Sequence, residues 1–294
     1  MLLKKISLDK FKANYFNALK WSNYKHKAFK ECKRKFLYKY GRALINTAEI
    51  EEVEKLKKLK NLSNWVGEKI HNFIDIYINT ESLSNVLAML KNVFQVTFRN
   101  RSPEIFEFFY EVSVSANEEK ELYERSERAL KNFDYYYKQN LKKLKNNIIF
   151  RDSQGIQSFI LDGITVLYKP DLVVKVDDNI SIFDWKTFDA TSDLNQVDLY
   201  ILAFHSKGFS NIEFKIVNLS NVNEEVFYTD NERLLKYKEF IKSSFEEIKN
   251  FWDELQIFTQ KEFDNLFEQI YNNFPKTNDY NLCKRCEFKK LCQR

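Results

Sequence analysis

Residues 156–188 read IQSFILDGITVLYKPDLVVKVDDNISIFDWKTF, a run dense in β-branched and aromatic side chains. Such residues favour pleated, half-buried strands. Asp162-Gly163 between apolar runs is a two-residue hairpin signal, and Asp177-Asp178 makes a second turn. The run therefore predicts an antiparallel meander of three strands, and NIEFKIVNLS at 211–220 adds another strand. Everything around it reads as helix. In EEVEKLKKLKNL and ANEEKELYERSERALKNFDYYYKQNLKKLK apolar residues recur every three or four positions. The second is a long amphipathic helix with a solvated face, suited to a helical domain or a coiled-coil hairpin. SDLNQVDLYILAFHSKG predicts a helix with Leu194, Val197, Ile201 and Phe204 on one face and a stop at Gly208. Helical periodicity resumes over 231–274. The chain is thus α/β: a mainly helical region over 1–150, a core over 151–220 and a helical region over 221–294, together one composite domain. With only 5 Gly and 3 Pro, long structureless linkers are not expected.

The charged residues of the meander matter most. A turn centred between Asp177 and Asp178 places residues whose numbers sum to 355 opposite each other, and Asp171 and Asp184 are such a pair. Their Cβ atoms would lie about 4.5–5.5 Å apart. Two facing carboxylates repel unless a cation sits between them, and a divalent ion prefers oxygen ligands. Lys186, two residues past Asp184, points to the same face. An ammonium there can hold a water or steady a negative transition state. The flanking SIFDW and DLVV are apolar, so these charges sit where a core strand ends.

Pro170-Asp171 followed by Asp184-x-Lys186 resembles the active-site hairpin of the PD-(D/E)XK nuclease superfamily. QVDLY resembles the Gln-x-x-x-Tyr motif of its RecB-like branch, here Gln196 and Tyr200. The resemblance implies a small mixed central sheet and phosphodiester hydrolysis on DNA, single-stranded or with a free end. It implies that Gln196 and Tyr200 flank the site and orient the lysine. It also implies an upstream histidine ligand, and NWVGEKIHNFIDIYI offers His71 four residues after Gly67, beside an apolar stripe of Val66, Ile70, Phe73 and Tyr77. The implied ligands of Mg²⁺ or Mn²⁺ are His71, Asp171, Asp184 and the backbone carbonyl of Trp185, with Lys186 positioning the water. His26 and His205 have no comparable setting and read as structural or surface residues. Asp184 stands where the wider superfamily more often has glutamate.

Three of the four cysteines, Cys283, Cys286 and Cys292, fall in the closing NLCKRCEFKKLCQR. In a reducing compartment such a set reads as metal-binding rather than disulfide-forming. Three thiolates need a fourth, and Cys32 is the remaining cysteine. Thiolates suit zinc and iron–sulfur alike. One N-terminal and three C-terminal cysteines resemble the [4Fe–4S] pattern of AddB-type nuclease domains and CRISPR-associated exonucleases, which favours iron and implies a clasp pinning the last turn to the first helices. Around Cys32, HKAFKECKRKFLYKYGR predicts a basic, aromatic helix. Its Lys33, Arg34, Lys35, Tyr38, Lys39, Tyr40 and Arg42 could grip phosphates and stack bases.

A net charge of +5 permits a nucleic-acid partner without demanding one. No apolar run approaches the roughly 20 residues of a membrane helix and no signal-peptide pattern opens the chain, so a cytoplasmic protein is expected. No phosphate-binding GxxxxGK[ST] loop is present. Work on duplex ends would need a separate helicase, or membership of a CRISPR or repair complex. Two other readings use the same features: a non-catalytic DNA-binding or structural subunit on this fold, and a zinc-clasped structural protein.

Overall fold

The computed structural model describes residues 19–41, 45, 49–188, 193–261 and 271–292. Helices α1 (Asn23–Glu31) and α2 (Lys33–Tyr40) replace the single basic helix expected there. Cys32 leaves helical geometry, and its sulfur caps α2 by accepting from the Lys35 amide at 3.4 Å. Then come α3 (Ile50–Leu56), α4 (Leu62–Thr80), α5 (Leu83–Arg99), α6 (Phe106–Phe109) and α7 (Ala116–Tyr136). Asn61 and Ser82 cap α4 and α5, and Ser115 with Glu118 forms a reciprocal capping box on α7. The helix expected to run on past residue 136 instead widens into a π turn over Tyr137–Leu141 and a 3-10 segment over Lys142–Asn147.

The strands are β1 (Ile148–Arg151), β2 (Gln157–Leu161), β3 (Ile164–Tyr168), β4 (Leu172–Val176) and β5 (Asn179–Lys186). Helix α8 (Leu194–His205) leads to β6 (Asn211–Asn218) and β7 (Asn223–Tyr228). Helix α9 (Asn231–Lys261) follows, then the short α10 (Tyr280–Lys284) and α11 (Lys289–Cys292). A five-stranded mixed sheet runs β1-β4-β5-β6-β7, with β5 and β6 parallel and the other neighbours antiparallel. The α8 crossover is what a parallel β5–β6 pair requires.

The expected three-strand meander is corrected. It is two hairpins in different sheets: β2 pairs with β3 alone, and β4 with β5 in the main sheet. The break falls at Lys169-Pro170, since proline has no N–H to continue a ladder. Asp162 and Gly163 both have positive φ, +46° and +85°, as a tight hairpin turn needs. Strand β1 was not expected either, because residues 1–150 read as helix.

The chain sorts into two compact units built from separated stretches. The first comprises Met1–Leu59, Ser158–Leu167 and Lys236–Arg294; the second Lys60–Gln157 and Tyr168–Leu235. In the second, Val66, Ile70, Phe73 and Tyr77 of α4 are buried together with Leu90, Phe94, Leu130 and Phe133 from α5 and α7. This helical layer packs on the sheet face formed by Leu172, Val174, Phe183 and Trp185. The opposite face carries α8, where Val197, Ile201 and Phe204 are buried as expected and Leu194 is exposed. In the first unit, Phe288 is fully buried against the Tyr38 ring, 5.1 Å between centroids, and Glu287 pairs with Lys39 at 2.9 Å. Among the described residues no helix is long and apolar enough to cross a membrane.

Candidate active site

The β4–β5 ladder pairs Leu172 with Phe183, Val173 with Ile182 and Val176 with Asn179. Every pair sums to 355, the register expected from a turn between Asp177 and Asp178. Continued by one residue, it brings Asp171 opposite Asp184 on the α8 face of the sheet. Asp184 is buried, at 4% exposure. Lys186 Nζ lies 2.6 Å from its Oδ2. Gln196 bridges the two: its Nε2 donates to Asp184 Oδ1 at 2.8 Å and its Oε1 accepts from Lys186 Nζ at 3.2 Å. The second Nε2 hydrogen reaches the Tyr200 hydroxyl at 3.3 Å, which itself donates to the Lys169 carbonyl at 2.6 Å. The (i, i+4) spacing of Gln196 and Tyr200 on α8 thus ties the lysine–carboxylate pair to the turn preceding Asp171.

His71 approaches from α4. Its Nδ1 lies 3.1 Å from Asp171 Oδ1 and its Nε2 3.1 Å from the Trp185 carbonyl. Asp171 Oδ2 accepts from the Trp185 amide at 2.7 Å. Both imidazole nitrogens therefore face acceptors, which suits the doubly protonated ring. Burial opposes that charge, but the Asp171 carboxylate and its hydrogen bond outweigh it, with Asp184 and Asp152 adding, and lift the His71 pKa to about 9. Burial and the nearby Asp171 push the Asp184 carboxyl up, against the opposing pull of Lys186. Gly67 has no packing role here, since a Cβ there would meet nothing within 4 Å.

Asp152 was not singled out from sequence. Its amide donates to the Asp171 carbonyl at 2.9 Å and its carboxylate holds Lys169 at 2.5 Å, so it grips the Lys169-Pro170-Asp171 turn at two points. Only its place in the polar DSQG turn could have drawn attention to it; its nearness to Asp171 comes from the distant pairing of β1 with β4, which sets Arg151 opposite Leu172.

Among the described residues no group of three or more His, Cys, Asp or Glu stands in a metal-holding arrangement. The oxygens a divalent ion would use are instead faced by the protein's own cations, the His71 ring on Asp171 and the Trp185 carbonyl, and Lys186 on Asp184. The donor set still fits a hard cation: two carboxylates, a carbonyl and an imidazole. Asp184 Oδ2 in particular is a buried oxygen with an ion-pair contact but no well-directed hydrogen bond.

In the first unit, Cys32, Cys283, Cys286 and Cys292 all line one cavity of about 330 Å³, with Lys35, Lys276, Lys284 and Lys289 around it. None is in a disulfide. Burial pushes the Cys286 thiol up to about 12, Glu287 adding, and burial also raises Cys292. Several of the basic and aromatic side chains around Cys32 have partners within the protein. Arg34 donates to the Phe274 and Tyr271 carbonyls, Tyr38 is buried, Lys33 lies over the Phe29 ring, and Lys35 and Lys39 pair with Glu287. Tyr40 is partly buried against Phe36, and Arg42 lies outside the described residues. His26 bonds Ser244 at 2.6 Å.

The sequence profile of the PD-(D/E)XK nuclease superfamily matches residues 20–293. No curated protein matches the chain. A solved Eubacterium rectale protein, named only as a candidate exonuclease, is similar at 12% identity and a TM-score of 0.45, over 85% of this chain and 87% of that one.

Proposed function

Since the chain belongs to the PD-(D/E)XK nuclease superfamily, we propose that it is a metal-dependent nuclease of the RecB-like kind, cleaving DNA that is single-stranded or has a free end, as an exonuclease. The observation that carries this reading is the convergence of Asp171, Asp184, Lys186 and His71 at one end of the β4–β5 hairpin. Asp171, Asp184, the His71 imidazole and the Trp185 carbonyl would hold Mg²⁺ or Mn²⁺. The bound ion would supply Lewis-acid stabilisation of the pentacovalent phosphate and the leaving oxygen. His71 must release a proton to become a ligand. Lys186, aligned by Gln196, would orient the attacking water and meet the negative charge that develops. Tyr200 holds Gln196 and, through the Lys169 carbonyl, the chain that delivers Asp171.

Cys32, Cys283, Cys286 and Cys292 are proposed to ligate a [4Fe–4S] cluster, with Zn²⁺ as the competing occupant; their common cavity supports a shared centre. The four lysines lining it suit the net negative charge of a tetrathiolate centre. The test of the nuclease reading is a Mn²⁺-dependent assay on end-labelled single strands, comparing wild type with K186A. Equal metal-dependent cleavage by the two proteins would discard it.

A further inference from the structure

A run of cations separate from those around Cys32 lies in KQNLKKLKNNIIFR, residues 138–151. This segment holds Lys138, Lys142, Lys143, Lys145 and Arg151 and no Asp or Glu. The π turn and the 3-10 segment that end α7 carry most of it. Lys138 and Lys142 are more than half exposed. Among the described residues, the carboxylates paired with these five cations are Asp134 and Glu81. Glu81 holds two of them, Lys145 at 2.7 Å and Lys142 at 3.5 Å. Arg151 bonds the Asn79 side chain.

The segment leads to the reacting groups by two routes. Arg151 is followed by Asp152, whose amide bonds the Asp171 carbonyl. Asn79 lies in the last turn of the helix that carries His71 and Glu81 caps its end, so Arg151 is held roughly 12 Å along that helix from the imidazole, at 1.5 Å per residue. Lys169, 41% exposed and held by Asp152, repeats the pattern beside Asp171 itself. Exposed pairs of this kind are weak and readily exchanged for a phosphate. The buried carbonyl bonds of Arg34 in the other unit are not.

We propose that Lys142, Lys145, Arg151 and Lys169 form the track by which the phosphate backbone of a single nucleic-acid strand reaches Asp171 and Asp184, with Glu81 and Asp152 holding these cations until phosphate replaces them. This rests on the nuclease reading but is tested without cleavage. Binding of a fluorescein-labelled single strand is followed by anisotropy in a salt titration, on the K186A background in EDTA. K142Q/K145Q/R151Q lowers the slope of log K against log[salt] by about 2, at about 0.7 for each lost contact. K145Q alone lowers it by about 0.7 and serves if the triple variant melts early. E81Q, which frees two lysines, binds more tightly, a direction that general damage to the fold would not produce. K120Q/K131Q on α7 leaves the slope as it was. An unchanged slope in the triple variant, weaker binding by a folded E81Q, or a slope that falls only in K33Q/K35Q/K39Q overturns the track. A wild type that does not cleave but shows the slope change defeats the nuclease reading alone. One that cleaves while the triple variant binds normally defeats the track alone.

Discussion

His71 makes the charge balance of the site measurable. Its pKa is about 9 in the folded protein against an ordinary 6.5, so the folded state binds this proton more tightly than the unfolded chain does. The stabilisation is fully present below pH 6.5 and is lost as pH rises through about 9. At about 1.4 kcal/mol for each unit of pKa, the ceiling is about 3 kcal/mol. The side chain keeps 23% exposure, and solvent screening brings the expected value to about 2 kcal/mol. The assay is urea unfolding of metal-free, reduced wild type and H71Q from pH 6 to 9.5, reading their difference at each pH so that other titrations cancel. Wild type should exceed H71Q by about 2 kcal/mol more at pH 6 than at pH 9.5. Mn²⁺ binding should run the opposite way, strengthening up to tenfold per pH unit below pH 9 as the proton it displaces becomes easier to remove. Parallel stability curves for the two proteins would refute the doubly donating imidazole, and with it the idea that proton and metal compete for Asp171 and the Trp185 carbonyl.

K186A should still bind single-stranded DNA and lose cleavage by at least about 10²–10³-fold, read on end-labelled strands. Q196L removes the bridge between Asp184 and Lys186 and should lower kcat about 10²-fold at saturating Mn²⁺, with a smaller effect on substrate KM; a wild-type kcat would remove Gln196 from the mechanism. Anaerobically purified protein should be brown and absorb at about 400 nm, as thiolate-bound iron–sulfur centres do, whereas a colourless protein with one equivalent of Zn²⁺ would assign the cysteines to zinc.

The β4–β5 hairpin was legible because its determinants are local: a two-residue turn fixes the register, and the two-residue period of a strand places Asp171, Asp184 and Lys186 on one face. The α8 motif was legible for the same reason, since Gln196 and Tyr200 meet by helical period alone. The misreadings are non-local or depend on one backbone atom. Lys169-Pro170 looked like the middle of a strand, but the absent proline N–H ends the ladder and sends β3 and β4 to different sheets. Strand β1 is short, follows a long helical pattern and pairs irregularly with β4, so neither it nor Asp152 could be placed from sequence. The partners of the cations around Cys32 were not legible either, because composition records charge without its partners. Arg34 is held by carbonyls, and Glu287 takes Lys35 and Lys39.

The tail poses a question of order that substitution can answer. A thiolate centre can create its own fold, as in small zinc domains, or be added to a pocket that packing has already built. Here Phe288 is fully buried between the cysteines it separates, Leu291 is buried beside it, and Lys290 reaches Glu52 at 3.1 Å. Removing a buried phenylalanine side chain costs about 3–5 kcal/mol. That exceeds any exposed ion pair on the tail, so Phe288 is its principal anchor. F288A should therefore lower both melting temperature and bound iron or zinc. C283S should empty the centre while leaving the tail protected from proteolysis. If C283S instead exposes the tail to protease as fully as F288A does, the metal makes the clasp and the aromatic anchor merely follows it.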